Sequence, residues 1–222
     1  MSTFRNMVKP PVTNGLILWW RFNELSGTIL QDSSGYGNIG TLTNGATWVK
    51  GPFYGNALNL NGSNQNITTN FNISNKLSNN FTINIWVNVL NNQSSGTGAF
   101  LWSASVSGGT RFYLAIPDST ALTSSKIGLS SWNPIEANTI NLNTWNMWTI
   151  ILSGANGYFY LNGALKDSQT GITVSLPNTT LSVGQQAAGS EVGFFNGNIN
   201  NFRIYNRALS TSEISTLYHA GE

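Results

Sequence analysis

The sequence predicts an all-β protein: two antiparallel sheets packed face to face as a sandwich, with one short helix at the C-terminal end. Three observations carry this. Strand-type runs of four to nine residues recur along the chain between clusters of Gly, Asn and Ser. The run Phe81 to Val89 alternates Phe81, Ile83, Ile85, Val87 and Val89 with Thr82, Asn84, Trp86 and Asn88, a period-two pattern that predicts one core face and one polar face. A helix start is written only near the end, where Ser210 and Glu213 have the spacing of a capping box and Leu209 and Ile214 that of a hydrophobic staple.

The elements follow in order. Residues 1–14 read as an extended N-terminal arm, because Pro10 and Pro11 forbid helix, and residues 15–222 read as one domain. Leu16 to Phe22 is a first strand, and DSSGYGNIG at Asp32 to Gly40 is a loop. Short strands are expected at Ala46 to Val49, Ala57 to Leu60 and Asn66 to Thr69, ahead of the long Phe81 strand. Further strands fall at Ala99 to Ser103, Arg111 to Ile116, Lys126 to Ser130 and Met147 to Leu152. Tyr158 to Leu161 and Ala164 to Asp167 flank Asn162-Gly163, the strongest hairpin signal in the chain. Thr180 to Gly184 and Asn198 to Tyr205 complete the series, with Asn196-Gly197 expected as a tight turn before the last strand.

Composition narrows the function. Only 8% of residues are charged, so Asn, Ser, Thr and Gly supply the polar surface. Ten basic and eight acidic side chains give a net charge of +2 and form no basic stripe, which argues against nucleic acid. Cysteine is absent, so neither a disulfide framework nor a thiolate metal site is possible. No apolar run approaches the roughly 20 residues of a membrane span, and the first residues lack the apolar core of a secretory signal.

Several blocks, taken together, resemble one family. GLILWWRFNELSGT at Gly15, GPFYGNALNLNGSNQNI at Gly51, NFTINIWV at Asn80, the Trp145 to Gly163 segment and FNGNINNFRIYNRALSTSEI at Phe195 are similar, in order, to conserved blocks of the laminin-G-like, concanavalin A-like lectin and glucanase jelly-roll domains. The resemblance implies a two-sheet antiparallel jelly roll and a carbohydrate-recognition module on a cell or particle surface. It also implies an extracellular location with a glycan or glycoprotein as partner, while an adhesive domain with no cysteine and no secretory signal in its first residues fits a virion surface, reached by assembly in the cytosol and release by lysis. The alternative is a virion or other particle decoration protein held to capsid or particle proteins through the arm. Exposed sheet edges with few charges to guard them allow a homo-oligomer.

A glycan site needs aromatic rings to stack on sugar faces and amides or hydroxyls to read ring hydroxyls. Trp86 on the polar phase of its strand, Trp132 in a loop-like stretch, Tyr36 in the Gly-rich loop, and Trp102 with Tyr113 are the candidates; Trp20, Trp48, Trp145 and Trp148 are assigned to the core. A glycosidase would need two carboxylates at about 5–9 Å, and no two of the acids stand close enough in sequence to project from one face of one strand. His219, the only histidine, falls in the terminal helix and offers no nucleophilic triad.

The resemblance further implies calcium. Asp32 matches a position that can serve as a ligand, whereas the acid expected in the closing block is Asn200 and the family's Phe-Asp-Glu is Phe22-Asn23-Glu24. Both departures remove charge, leaving Asp32, Asn200 and backbone carbonyls as the expected site. Read by itself, Asp32 before Ser and Gly is a turn-capping residue.

Overall fold

The computed structural model describes residues 12–52, 55–90, 99–105, 111–116, 125–129, 135–137, 142–172, 174–186 and 193–220. Trp132 lies outside them, as does most of the N-terminal arm. In chain order the elements are β1 (Leu16–Trp20), β2 (Ile29–Leu30), β3 (Gly40–Leu42), β4 (Thr47–Lys50), β5 (Asn56–Asn61), β6 (Ile67–Asn72), α1 (Ile73–Lys76), β7 (Asn80–Val89) and β8 (Ala99–Ser105). They continue with β9 (Arg111–Ile116), β10 (Ser125–Leu129), β11 (Ile135–Ala137), β12 (Trp145–Ser153), β13 (Asn156–Leu161), β14 (Ala164–Gln169), β15 (Thr180–Val183), β16 (Asn196–Tyr205) and α2 (Thr211–His219).

The strands form two antiparallel sheets. The first runs β14-β13-β12-β7-β16-β5-β4, with β1 also on β16, and the second runs β11-β10-β9-β8-β15-β6-β3-β2. Between them lies a core rich in aromatic rings, including Trp20, Phe71, Phe81, Trp102, Phe112, Trp148, Phe159 and Phe202. Phe81 meets Phe112 edge-on at 5.4 Å, a contact that joins β7 of one sheet to β9 of the other. Asn162 and Gly163 both take positive φ (51° and 79°), as a two-residue turn with the right twist requires, and they join β13 to β14 as predicted.

Two local expectations are corrected. Asn196 and Gly197 are not a turn: they open β16 and pair with β5 and β7. A side chain on Gly197 would lie 2.5 Å from the carbonyl oxygen of Asn88 and from the ring of Phe195, so the glycine serves a close approach between strands. The first strand stops at Trp20 because Phe22 takes a left-handed φ of 58°, which breaks the extended run.

The polar face predicted for β7 is also corrected. Thr82, Asn84 and Trp86 are buried along with the core-facing residues, because a second apolar cluster covers the outer face of the first sheet. Ile214 and Leu217 of α2 pack there on Trp86, Met147, Ile151, Tyr160 and Tyr205. The helix is fixed by the predicted box: Ser210 Oγ accepts from the Glu213 N–H at 3.3 Å, and Glu213 Oε2 accepts from the Ser210 N–H at 2.8 Å. Val12 joins the same cluster, and the Tyr205 hydroxyl donates to its carbonyl at 3.2 Å, which seats the root of the arm on the domain.

Candidate functional site

The outer face of the second sheet is built by strand register. Ile29 stands opposite Thr41, Thr41 opposite Thr68, Thr68 opposite Ser182, Ser182 opposite Ser103, and Ser103 opposite Tyr113. Their neighbours Leu30, Leu42, Ile67 and Val183 enter the core, so alternation turns this row outward. Ser182 and Ser103 are buried, with Ser103 Oγ donating to the Gln185 carbonyl at 2.8 Å. Ile29, Thr41 and Thr68 at the β2 end are exposed, and so are Ile39 and Asn70 beside them. Tyr113, at the far end of the row, is half-buried.

The loop of residues 32–38 stands beside this edge and is held from several sides. Asp32 Oδ1 accepts from the Trp19 and Ser34 N–H groups, each at 2.9 Å, and Oδ2 accepts from Ser34 Oγ at 2.8 Å and the Asn38 N–H at 2.9 Å. Asn38, itself buried, donates to the Ile17 carbonyl at 2.6 Å and accepts from Trp20 Nε1 at 2.8 Å. Asn70 Nδ2 donates to the Gly37 carbonyl at 3.0 Å, tying the loop to β6. Gly35 and Gly37 take φ of 92° and 70°, turns open to glycine and strained for other residues. From this frame Tyr36 projects with 61% of its surface exposed.

Among the described residues, the exposed large hydrophobic side chains are Leu25, Ile29, Tyr36, Ile39 and Leu165, and all but Leu165 fall within residues 25–39. A concentration of apolar surface beside hydroxyl and amide groups can take a ligand with one apolar face and polar edges.

Tyr36 and Tyr113 therefore border one outer face, while two other predicted aromatics do not reach it. Trp102 is 0% exposed: β8 carries a register shift between Phe100 and Trp102, and the ring packs in the core 4.6 Å from Phe112. Trp86 is 3% exposed and stacks on Tyr218 at 5.8 Å and 14° beneath α2, which leaves no sugar-sized opening over its ring. Sequence reasoning missed Ile29, Ile39, Thr41 and Thr68; their signal was the alternation in Ile29-Leu30 and Gly40-Thr41-Leu42, strands too short to stand out in a Gly-rich stretch.

Calcium at Asp32 and Asn200 is a poor fit to the donor set. A carboxylate offers about four lone-pair sites, and four donors already occupy those of Asp32, three from its own loop and the Trp19 N–H of β1. Asn200 meets the same end of β1 from β16, but through its amide hydrogens, which donate to the Asn56 and Arg21 carbonyls. Among the described residues no three His, Cys, Asp or Glu side chains gather where they could hold a metal ion.

The outer face of the first sheet has its own charge arrangement. Arg203 is buried with Nη1 on Asn84 Oδ1 at 3.0 Å and Nη2 on Asn201 Oδ1 at 3.2 Å, and the ring of Trp19 takes its guanidinium at 5.5 Å and that of Arg21 at 5.2 Å from the ring centroid. Burial lowers the Arg203 guanidinium to about 10 and raises the Tyr205 phenol to about 12. Both groups keep their ordinary charge at neutral pH, and Arg203 is held by amides and an aromatic ring with no ion pair to a carboxylate among the described residues.

No curated protein sequence matches the chain. Among solved structures it is similar to domain 4 of AbnA, a GH43 extracellular arabinanase from Geobacillus stearothermophilus solved in complex with arabinotriose (22% identity, TM-score 0.72), covering 91% of this chain and 98% of that one. It is similar as well to the binding domain of Paraclostridial Mosquitocidal Protein 1 (20% identity, TM-score 0.71), covering 94% of this chain and 52% of the other. Against Trypanosoma rangeli sialidase in complex with 2,3-difluorosialic acid the figures are 16% identity and a TM-score of 0.71, and this chain spans 92% of its own length but 32% of the enzyme's. At these identities the likeness is one of fold. Residues 61–215 match the sequence profile described as the concanavalin A-like lectin/glucanases superfamily, and the chain belongs to that superfamily.

Proposed function

We propose that this chain is a non-catalytic carbohydrate-binding module that works at an extracellular surface and takes its ligand at the open β2-β3-β6 edge of the second sheet. The observation that carries the reading is the exposed ring of Tyr36, held on a loop whose hydrogen bonds are already made, beside outward-facing Thr41, Thr68 and Asn70. A preformed loop avoids the ordering cost of binding, and a ring flanked by hydroxyls and an amide matches a sugar's apolar face and polar rim. Support for a binding role over hydrolysis comes from the described acids. Asp32 serves its own loop, Glu213 pairs with Arg207, Asp167 Oδ1 accepts from the Ser168 N–H, and Glu24 Oε1 accepts from the Gln31 N–H.

The similar arabinanase domain makes arabino-oligosaccharides the first ligands to test, alongside a broad glycan array. The wild-type chain should be retained by at least one glycan. Tyr36→Ala should weaken that binding about tenfold or more, since an aromatic contact near 1.4 kcal/mol corresponds to a factor of ten. A folded wild-type chain that binds no glycan, or a Tyr36→Ala variant that binds as well as wild type, would overturn the reading.

A further inference from the structure

β16 changes partner along one edge, pairing β5 through Asn196 to Ile199 and β1 through Phe202 to Tyr205. Its register against β7 shifts between Asn200 and Arg203, and Asn201 takes a left-handed φ of 49°, so a bulge lies at the handover. Asn200 therefore stands where three strands meet, 6% exposed. Its Nδ2 donates to the Asn56 carbonyl at 2.6 Å and to the Arg21 carbonyl at 3.4 Å, and its Oδ1 accepts from Asn201 Nδ2 at 2.7 Å. Asn201 Oδ1 in turn accepts from Trp19 Nε1 and Arg203 Nη2, and Asn56 Nδ2 donates to the Glu24 carbonyl at 2.8 Å.

Two main-chain carbonyls from different segments thus converge on one amide nitrogen. Negative oxygen ends brought together away from water need a donor or a cation between them. The Glu24 side chain, on the segment that Asn56 grips, adds an enclosed Oε2 that meets no donor among the described residues. The Asn200 amide nitrogen carries two hydrogens, one for each carbonyl, and brings no charge with them.

We infer that the Asn200 amide stands in for a bound cation, so that β1, β5 and β16 are joined without calcium, and that the cradle is one group away from being a calcium site. Replacing the Nδ2 donor by a carboxylate oxygen sets that oxygen against the Arg21 and Asn56 carbonyls, a set of hard oxygens that a divalent ion satisfies and water-free packing does not. The inference is independent of the carbohydrate reading, because it concerns how the strands are fastened.

The test is thermal unfolding with millimolar calcium or with chelator, with terbium luminescence sensitised by tryptophan as a second readout. Wild type should melt at the same temperature in both conditions and show no terbium signal. Asn200→Asp should melt several degrees lower in chelator, recover in calcium and bind terbium, while Asn200→Ala should melt lower in both conditions alike. A wild-type melting temperature that rises with calcium would overturn the inference, and that measurement needs no variant to fold. An Asn200→Asp chain that ignores calcium, or stays unfolded in it, overturns the inference too.

Discussion

The two sheets present outer faces with opposite fates. On the first, α2 and the root of the arm cover Trp86, Met147, Ile151 and Tyr160, making a second small core. On the second, the β2-β3-β6 edge leaves Ile29, Ile39, Thr41 and Thr68 in water with Tyr36 beside them. Alternation along a strand states which residues point in opposite directions. Which direction meets water is decided by whatever later element packs over the face. Here that element is a nine-residue helix more than 120 positions downstream of β7.

The contrast can be broken most directly at its two aromatics. Trp86→Ala should cost about 3–5 kcal/mol in urea unfolding, as for large buried rings, whereas Tyr36→Ala should stay within about 0.5 kcal/mol of wild type. Equal costs at the two positions would mean that the faces are not different in kind. Next comes Asp32, which holds the Tyr36 loop in place through four accepted hydrogen bonds. Asp32→Ala leaves four donors without an acceptor and should cost about 2–3 kcal/mol, with glycan affinity falling alongside; Asp32→Asn should recover part of both.

The smallest effect is expected at the cap of the covering helix. The Arg207 side chain, followed in effect by the Ser210 N–H, holds the Glu213 carboxyl down at about 2 from an ordinary 4.5. A depressed folded value means that this stabilisation is complete above the unfolded value and fades as pH falls from about 4.5 towards 2. The pair is partly exposed, so Glu213→Gln should cost about 1 kcal/mol at neutral pH. The variant's melting temperature should also fall less steeply than that of wild type between pH 5 and pH 2.5, within the window set by those two values.

Local chemistry made much of this fold legible. The Asn162-Gly163 hairpin, the Ser210/Glu213 box and the Phe81 strand each need only a few adjacent residues to declare themselves, and the sandwich follows from their company. What escaped depends on distant partners. β2 is two residues long and exists because β3 pairs with it, and α1 and β11 are similarly brief. The row from Ile29 to Tyr113 crosses six strands gathered from residues 29–113 and 182, so no window of sequence contains it. Trp102 was offered as a stacking ring with Tyr113, yet it alternates with outward-facing Ser103 and so enters the core opposite Leu114, which only the pairing of β8 with β9 reveals. Asp32 was legible both ways, as turn former and as metal ligand, and the four donors of its own loop and β1 favour the first.

The most direct test of a ligand edge on the second sheet is amide chemical-shift mapping of the intact chain titrated with the best glycan from the array. Shifts should concentrate at residues 29–41 and 67–70, with Tyr36 and its loop moving most and residues 211–219 unmoved. Shifts confined to the α2 face, or spread without regard to the β2-β3-β6 edge, would contradict the account.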